Sequence, residues 1–488
     1  MSLTRTIAHN TLIQIAGKLV STVLGLIVIG LVARHLGQDG YGLFVTVQTF
    51  PQFFGVVVDF GLYIVLVKRL GEPNVDKDAI VSNVFTLRLI SAIAFLGLAP
   101  LVVLAFPYPG IVKLGVALTT LSILFVTLNQ VLIGVFQAHL RMDRVAIAEL
   151  TGRFVLLGAT VAVVAFDRGL LAVLWTVVLG SLGNFLVTLF YVRRLIRLRF
   201  RADLQEWRAI IRESWPIAIS IALNLIYFRA DTLILSLTKP AGDVGIYGAT
   251  YKVLEVLTTF PAMFAGLVLP LLSAAWAVRD RERFRHLLQR SVDFLTLLAL
   301  PLVVGTYFVA EPIMVFVAGE EFRASGDALR IIMIATGAIF LGNLFGNAVV
   351  ALGRQRRMVW IYLAVAIVSL SANLLLIPTF SYVAAAWVRV ASEVGIMLGS
   401  AALVLRMSGT RLRWGIIGRV VLATGIMAAA ILLLPVLGQR EAVEDANAVN
   451  DAIPNECRRE DEPDEERRER KENDIPDRDR LPSCPETL

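Results

Sequence analysis

Apolar residues run along this chain in long stretches, broken only by brief clusters of charge, Gly and Pro. The run from Thr11 to Ala33 contains a single charged residue, Lys18, and runs of the same kind recur up to Gly438. A bilayer core about 30 Å thick takes roughly 20 apolar residues per helical crossing. The runs are continuous and lack the period-2 alternation of a membrane barrel. They predict an all-α polytopic membrane protein with about 13 spans, at 11–34, 41–67, 80–106, 111–137, 146–166, 170–193, 214–238, 245–275, 288–310, 326–351, 358–378, 382–405 and 414–437. The first run is too long for a signal-peptide core and has no small-residue cleavage site, so it reads as an uncleaved span.

Charge adds orientation and organisation. Basic residues fall in alternate connections: Lys68, Arg69 and Lys77; Arg141 and Arg144; the arginines of 193–212; those of 279–290; Arg354, Arg356 and Arg357; and Arg406, Arg411 and Arg413. Because basic residues near span ends stay inside, this pattern places the N-terminus in the cytoplasm. The stretch 195–213 is the longest basic linker and divides the spans into two comparable sets, giving a six-helix lobe over 1–194 and another over 214–406, with one additional helix in 407–438. "GYGLF" after span one answers "VGIYGA" after span seven, and "FQAHLRM" after span four answers "LGRQRRM" after span ten. Two halves with even helix counts would be parallel repeats.

Composition agrees with the pattern. The chain is 57% hydrophobic and 17% charged, with a mean hydropathy of +0.73, which excludes a soluble globular enzyme. The net charge of +7 hides a split, because 439–488 holds 9 basic and 17 acidic residues and leaves 37 basic against 22 acidic before it. That basic body suits membrane lipids or an anionic substrate. The acidic stretch, 439–488, is too poor in apolar residues to bury a core and is expected to be a disordered charged tail. Both cysteines, Cys457 and Cys484, lie within it. No phosphate loop, metal-ligand cluster or catalytic triad is visible, so neither an enzyme, a cofactor, a metal nor a nucleic-acid partner is expected.

The candidate chemistry is the charge inside the spans, where each ionisable residue is costly. In the hairpin of spans seven and eight, Asp231 falls level with Lys252 and Arg229 almost level with Glu255. Residues two apart on a helix point about 200° from each other, so Arg229 and Asp231 cannot both face span eight. The favoured arrangement pairs Asp231 with Lys252 and turns Arg229 to a cavity. Lys18 similarly falls level with Asp59, and Arg389 and Glu393 stand at i and i+4. For each pair, a structural salt bridge and a substrate or ion role stand open together. Arg88 and Arg153 have no evident partner and sit where long side chains can snorkel. Asn224, Asn343, Asn347 and Asn373 could hydrogen-bond a saccharide or glue helices together.

Five segments carry a family resemblance: "LVARHLGQDGYGLF", "ADTLILSLTKPAGDVGIYGATYKVLEVL", "LVLPLLSAAW", "LGRQRRM" and "NLLLIPTFSYVAAAWVRVASEV". The chain resembles the Wzx-type oligosaccharide flippases of the multidrug/oligosaccharidyl-lipid/polysaccharide exporter superfamily, from the N-terminus to about Gly438. The resemblance implies two six-helix lobes around a central cavity, open alternately to each side of the cell inner membrane. It implies a cargo of undecaprenyl-pyrophosphate-linked oligosaccharide, polysaccharide polymerase components as partners, and an H+ or Na+ gradient as drive. Cationic cavity residues would hold the pyrophosphate, and the matching positions are Lys18, Arg88, Arg153, Arg229, Lys252 and Arg389. Asp59, Asp231, Glu255 and Glu393 are the corresponding ion-coupling or ion-pair candidates. The family has twelve or fourteen helices, so an odd count suggests a fourteenth lost at the break before the tail. A cation-coupled small-molecule or drug antiporter of the same superfamily is the alternative.

Overall fold

The computed structural model describes the backbone of residues 3–72, 75–413 and 415–452, and side chains from 16 to 433 apart from 56, 73, 74, 216, 217, 219–227 and 414. Its regular elements are helical: α1 (Leu3–Asp59), α2 (Leu62–Leu70), α3 (Lys77–Leu96), α4 (Ala99–Val102), α5 (Gly110–Ala138), α6 (Met142–Ala165), α7 (Leu170–Val192), α8 (Leu204–Thr238), α9 (Ala241–Ala277), α10 (Arg281–Ala318), α11 (Ser325–Ala351), α12 (Gln355–Ser408) and α13 (Gly415–Ala452). Helix starts follow local chemistry. Asp76, Asp203 and Asp280 accept the orphan N–H groups of α3, α8 and α10.

Among the described residues, ten segments are long and apolar enough to cross a membrane. Two of them, Ala16–Leu70 and Gln355–Ser408, run for 55 and 54 residues, more than twice the roughly 20 that one crossing needs. Each is interrupted where the sequence predicts a loop. Gly37 takes φ 66° inside α1, and Ser381 takes φ 54° inside α12. The expected loops 35–40 and 379–381 are therefore single-residue breaks. Span two, expected unbroken over 41–67, is divided instead, because Phe60 and Gly61 both adopt positive φ and separate α1 from α2. Span three likewise ends early, continuing past Leu96 as α4 and a 3-10 turn.

The chain divides into compact units of residues 1–421 and 422–488. In the first, one apolar core joins α2, α3, α5 and α7 through Leu66, Val84, Leu132 and Val192. Another joins α9, α10, α11 and α12 through Leu272, Leu288, Leu344 and Val404. A third knits α1 to the second half, with Val32, Tyr41, Leu235, Tyr247 and Met333 packed together. The two glycine–tyrosine segments that suggested a repeat meet there. A Cβ on Gly42 would collide with the Ala241 carbonyl, and one on Gly245 with the Gln38 carbonyl, so only glycine permits this backbone approach. In the second unit α13 continues as helix to Ala452, beyond the expected end at Gly438, and 453–488 lie outside the described residues.

Candidate functional site

The charged residues gather into two similar clusters. In the first half, α1 supplies Lys18 and Ser21 and α6 supplies Glu149 and Arg153. Lys18 Nζ lies 3.2 Å from Glu149 Oε1, Ser21 Oγ donates to the same oxygen at 2.7 Å, and Arg153 Nε donates to Ser21 Oγ at 3.1 Å. In the second half, α8 supplies Arg229 and α9 supplies Lys252 and Glu255. The two Glu255 oxygens take Arg229 at 2.6 Å and Lys252 at 2.8 Å. Each cluster thus sets two cations against one carboxylate.

These clusters sit at the junctions of four cavities. A cavity of about 700 Å³ between α1, α6 and α9 is lined by Lys18, Glu149 and Glu255. One of about 230 Å³ is lined by Arg153, Arg229, Lys252, Gln48 and Gln52. One of about 400 Å³ in the second half takes Arg229, Glu255, Asn343 and Glu393. One of about 370 Å³ in the first half takes Glu149 and Arg153. Glu149, Glu255, Arg229 and Arg153 each line two of the four, so neighbouring cavities meet at a charged side chain. Opposite charges about 4 Å apart gain on the order of 4 kcal/mol at the effective dielectric of a partly wet site. One carboxylate cannot neutralise two cations, so each cluster keeps an excess positive charge available to an anion.

Several pairings differ from those expected. Asp231 does not meet Lys252. It is buried, accepting from the Tyr247 hydroxyl at 2.7 Å and from the Thr232 hydroxyl at 3.2 Å, while Lys252 turns to Glu255. Helical rotation explains this, since level depth does not make two side chains face each other. Arg229 pairs with Glu255 and also lines two cavities, so the paired and cavity-facing positions are one position. Lys18 pairs with Glu149 rather than Asp59, because Asp59 is taken by Arg88.

Arg88 does not snorkel, and it lines none of these four cavities. Its side chain is fully buried and donates to the Val58 and Asp59 carbonyls, the Thr127 carbonyl and Gln130. It serves the broken end of α1. Arg389 is also buried, 3.2 Å from Glu393 as the i,i+4 spacing predicts, with Tyr251 Oη 3.1 Å away and its guanidinium 4.3 Å from the Phe228 ring centroid. Of the amides, Asn343 lines the 400 Å³ cavity, whereas Asn347 donates to the Asn343 carbonyl and buried Asn373 to Ser369. The Asn224 side chain lies outside the described residues.

Glu149 and Ser21 were not foreseen. Glu149 precedes Arg153 by four residues, a helical pairing signal on its own face. Ser21 carried no comparable signal. Among the described residues, no group of three His, Cys, Asp or Glu side chains could hold a metal ion.

The arrangement can be set beside known proteins. A family model described as polysaccharide biosynthesis protein matches residues 7–276, and the MatE model matches 216–375. The probable low-salt glycan biosynthesis flippase Agl15 of Haloferax volcanii is 21% identical over 360 residues, 72% of this chain and 74% of that protein. The succinoglycan biosynthesis transport protein ExoT of Rhizobium meliloti is 24% identical over 371 residues, 73% of this chain and 71% of that one. Among solved structures, the lipid II flippase MurJ in an inward closed conformation superposes with a TM-score of 0.72 at 14% identity, covering 87% of this chain and 93% of that one. An inward-facing multidrug resistance MATE family transporter of the MOP superfamily gives 0.65 at 13% identity, covering 86% and 98%.

Proposed function

Given that this chain belongs to the polysaccharide biosynthesis protein family, we propose that it is a flippase, a transporter that carries a lipid-linked oligosaccharide across the membrane without changing its covalent structure. The observation that carries this reading is the row of cavities joined at Glu149, Arg153, Arg229 and Glu255. A diphosphate linkage is a compact polyanion, and guanidinium groups bind such oxygens in pairs. Arg153 and Arg229, from opposite halves, line one cavity and are the residues we assign to the linkage, with Lys18 and Lys252 beside them. Asn343 is assigned to the saccharide.

The carrier lipid is proposed to be undecaprenol and the membrane the cytoplasmic one, with the N-terminus and the basic 193–212 connection inside. Polysaccharide polymerase components are the proposed partners. Transport is proposed to alternate access between the two sides, driven by an H+ or Na+ gradient. Asp231 favours a coupled cation, because its hydrogen-bond partners among the described residues are two hydroxyls and a backbone amide.

The test is transfer of a labelled undecaprenyl-diphosphate oligosaccharide across vesicles holding the purified protein. Arg229→Gln should abolish most transfer and Arg229→Lys should keep part of it through a point charge. Full transfer by both Arg153→Gln and Arg229→Gln would overturn the assignment.

A further inference from the structure

The 370 Å³ cavity bordered by α5, α6 and α7 carries three amide side chains. Here α5 presents Ser122, Asn129 and Gln130, and α7 presents Ser181 and Asn184. Ser122 and Ser181 share a hydrogen bond of 2.6 Å that joins α5 to α7 in its wall. Its size lies within the roughly 300–1,000 Å³ of ordinary small-molecule sites.

Two of its amides have capacity to spare. Asn129 is 6% exposed, and its Oδ1 has no hydrogen-bond partner among the described residues. A buried acceptor left in this way is costly and calls for a partner. Gln130 has its carbonyl oxygen engaged by Arg88, which fixes the amide and leaves its NH2 as a donor. A free acceptor and a free donor lining one cavity suit a ligand hydroxyl, which both gives and takes a hydrogen bond. Several such groups on a ring are the chemistry of a sugar.

Position narrows the choice of sugar. Glu149 lines this cavity and the 700 Å³ one, and Arg153 lines this cavity and the 230 Å³ one. A ligand here therefore lies one side chain away from the assigned diphosphate site. The corresponding cavity of the second half is walled instead by Phe228, Tyr251 and Tyr362 and offers fewer amides. We propose that the α5–α6–α7 cavity is the subsite for the sugar joined directly to the diphosphate, with Asn129, Gln130 and Asn184 binding its hydroxyls. This inference rests on the lipid-linked oligosaccharide reading and adds to it a location and a specificity.

The experiment compares binding of farnesyl diphosphate with that of the same lipid bearing one hexose or N-acetylhexosamine, using the full chain in lipid nanodiscs. At least one sugar-bearing lipid should bind wild type about tenfold tighter than the bare diphosphate. Asn129→Leu and Asn184→Ala should each remove most of that gain while leaving farnesyl diphosphate binding within about twofold, which also reports that the variants are folded. If Asn129→Leu binds neither lipid, Asn184→Ala decides. Equal wild-type affinity for bare and sugar-bearing lipids would overturn the subsite alone. A gain that survives in the variants, or that falls equally for both lipids, would do the same. Absence of wild-type binding to any of these lipids would overturn the carrier reading and the subsite with it.

Discussion

The Nη1 of Arg88 lies 2.7 Å from the Asp59 carboxylate and 2.7 Å from the Asp59 backbone carbonyl. α1 stops at Asp59, within an expected membrane span, and its last carbonyls have no partner in their own helix. In lipid, such groups must be satisfied by protein. Arg88 does this from α3 while pairing with the adjacent carboxylate, so one buried cation serves both the charge and the broken backbone. Removing one partner of a buried pair costs about 3–5 kcal/mol. Arg88→Met is therefore expected to lower the unfolding midpoint and the folded yield, with Arg88→Lys intermediate because an ammonium has fewer donors. Normal stability in Arg88→Met together with lost transport would return Arg88 to a substrate role.

Glu255 holds Arg229 and Lys252 together, about one third of its side chain remaining accessible. Glu255→Gln should release both cations to a competing anion. Inorganic pyrophosphate is expected to bind about tenfold tighter, equivalent to about 1.4 kcal/mol, and lipid transfer to slow because release is harder. Titration calorimetry and vesicle transfer measure the two effects; unchanged pyrophosphate affinity would contradict the competition. Reversing charges as Asp231→Lys with Lys252→Asp should give no mutual rescue, since these residues do not pair.

Gly42 and Gly245 let α1 and α9 approach backbone to backbone. A methyl group at Gly42 would force the crossing apart, since the atom it meets is a main-chain carbonyl. Gly42→Ala and Gly245→Ala are expected to insert normally yet impair transfer. A single cysteine at Val45 should become more accessible to a polar thiol reagent in either variant. Wild-type transfer and labelling in both would show that the close approach is not needed.

Residues 197–203 form a strap along α3. The backbone N–H groups of Arg197, Arg199, Arg201 and Asp203 donate to the side chains of Asp78, Ser82, Thr86 and Asn83. Ser82→Ala combined with Asn83→Leu removes two of these acceptors, at about 1 kcal/mol each. Trypsin is expected to cut at Arg199 and Arg201 several-fold faster than in the wild type, since proteolysis follows local opening. An unchanged cleavage rate would mean that other contacts hold the strap.

Much of the molecule could be read from its linear pattern. Runs of about 20 apolar residues have few alternatives to membrane helices, because lipid offers no partner to an open backbone group. The i,i+4 pair of Arg389 and Glu393 was legible for the same local reason, as helix geometry alone places those positions together. The break at Phe60–Gly61 was hidden: apart from Asp59 its neighbours carry no charge, and the group that stabilises it, Arg88, comes from another helix. Equal depth also misled. It suggested Asp231 with Lys252 and Lys18 with Asp59, whereas the structure gives Tyr247 to Asp231 and Glu149 to Lys18. Depth follows from counting residues at about 1.5 Å each. Which way a side chain faces depends on how each helix is rotated and which helix lies beside it. Sequence alone therefore determined that this chain crosses a membrane many times and carries charge inside it. Tertiary packing decided which charges neutralise one another, which mend a broken helix, and which remain at the cavities.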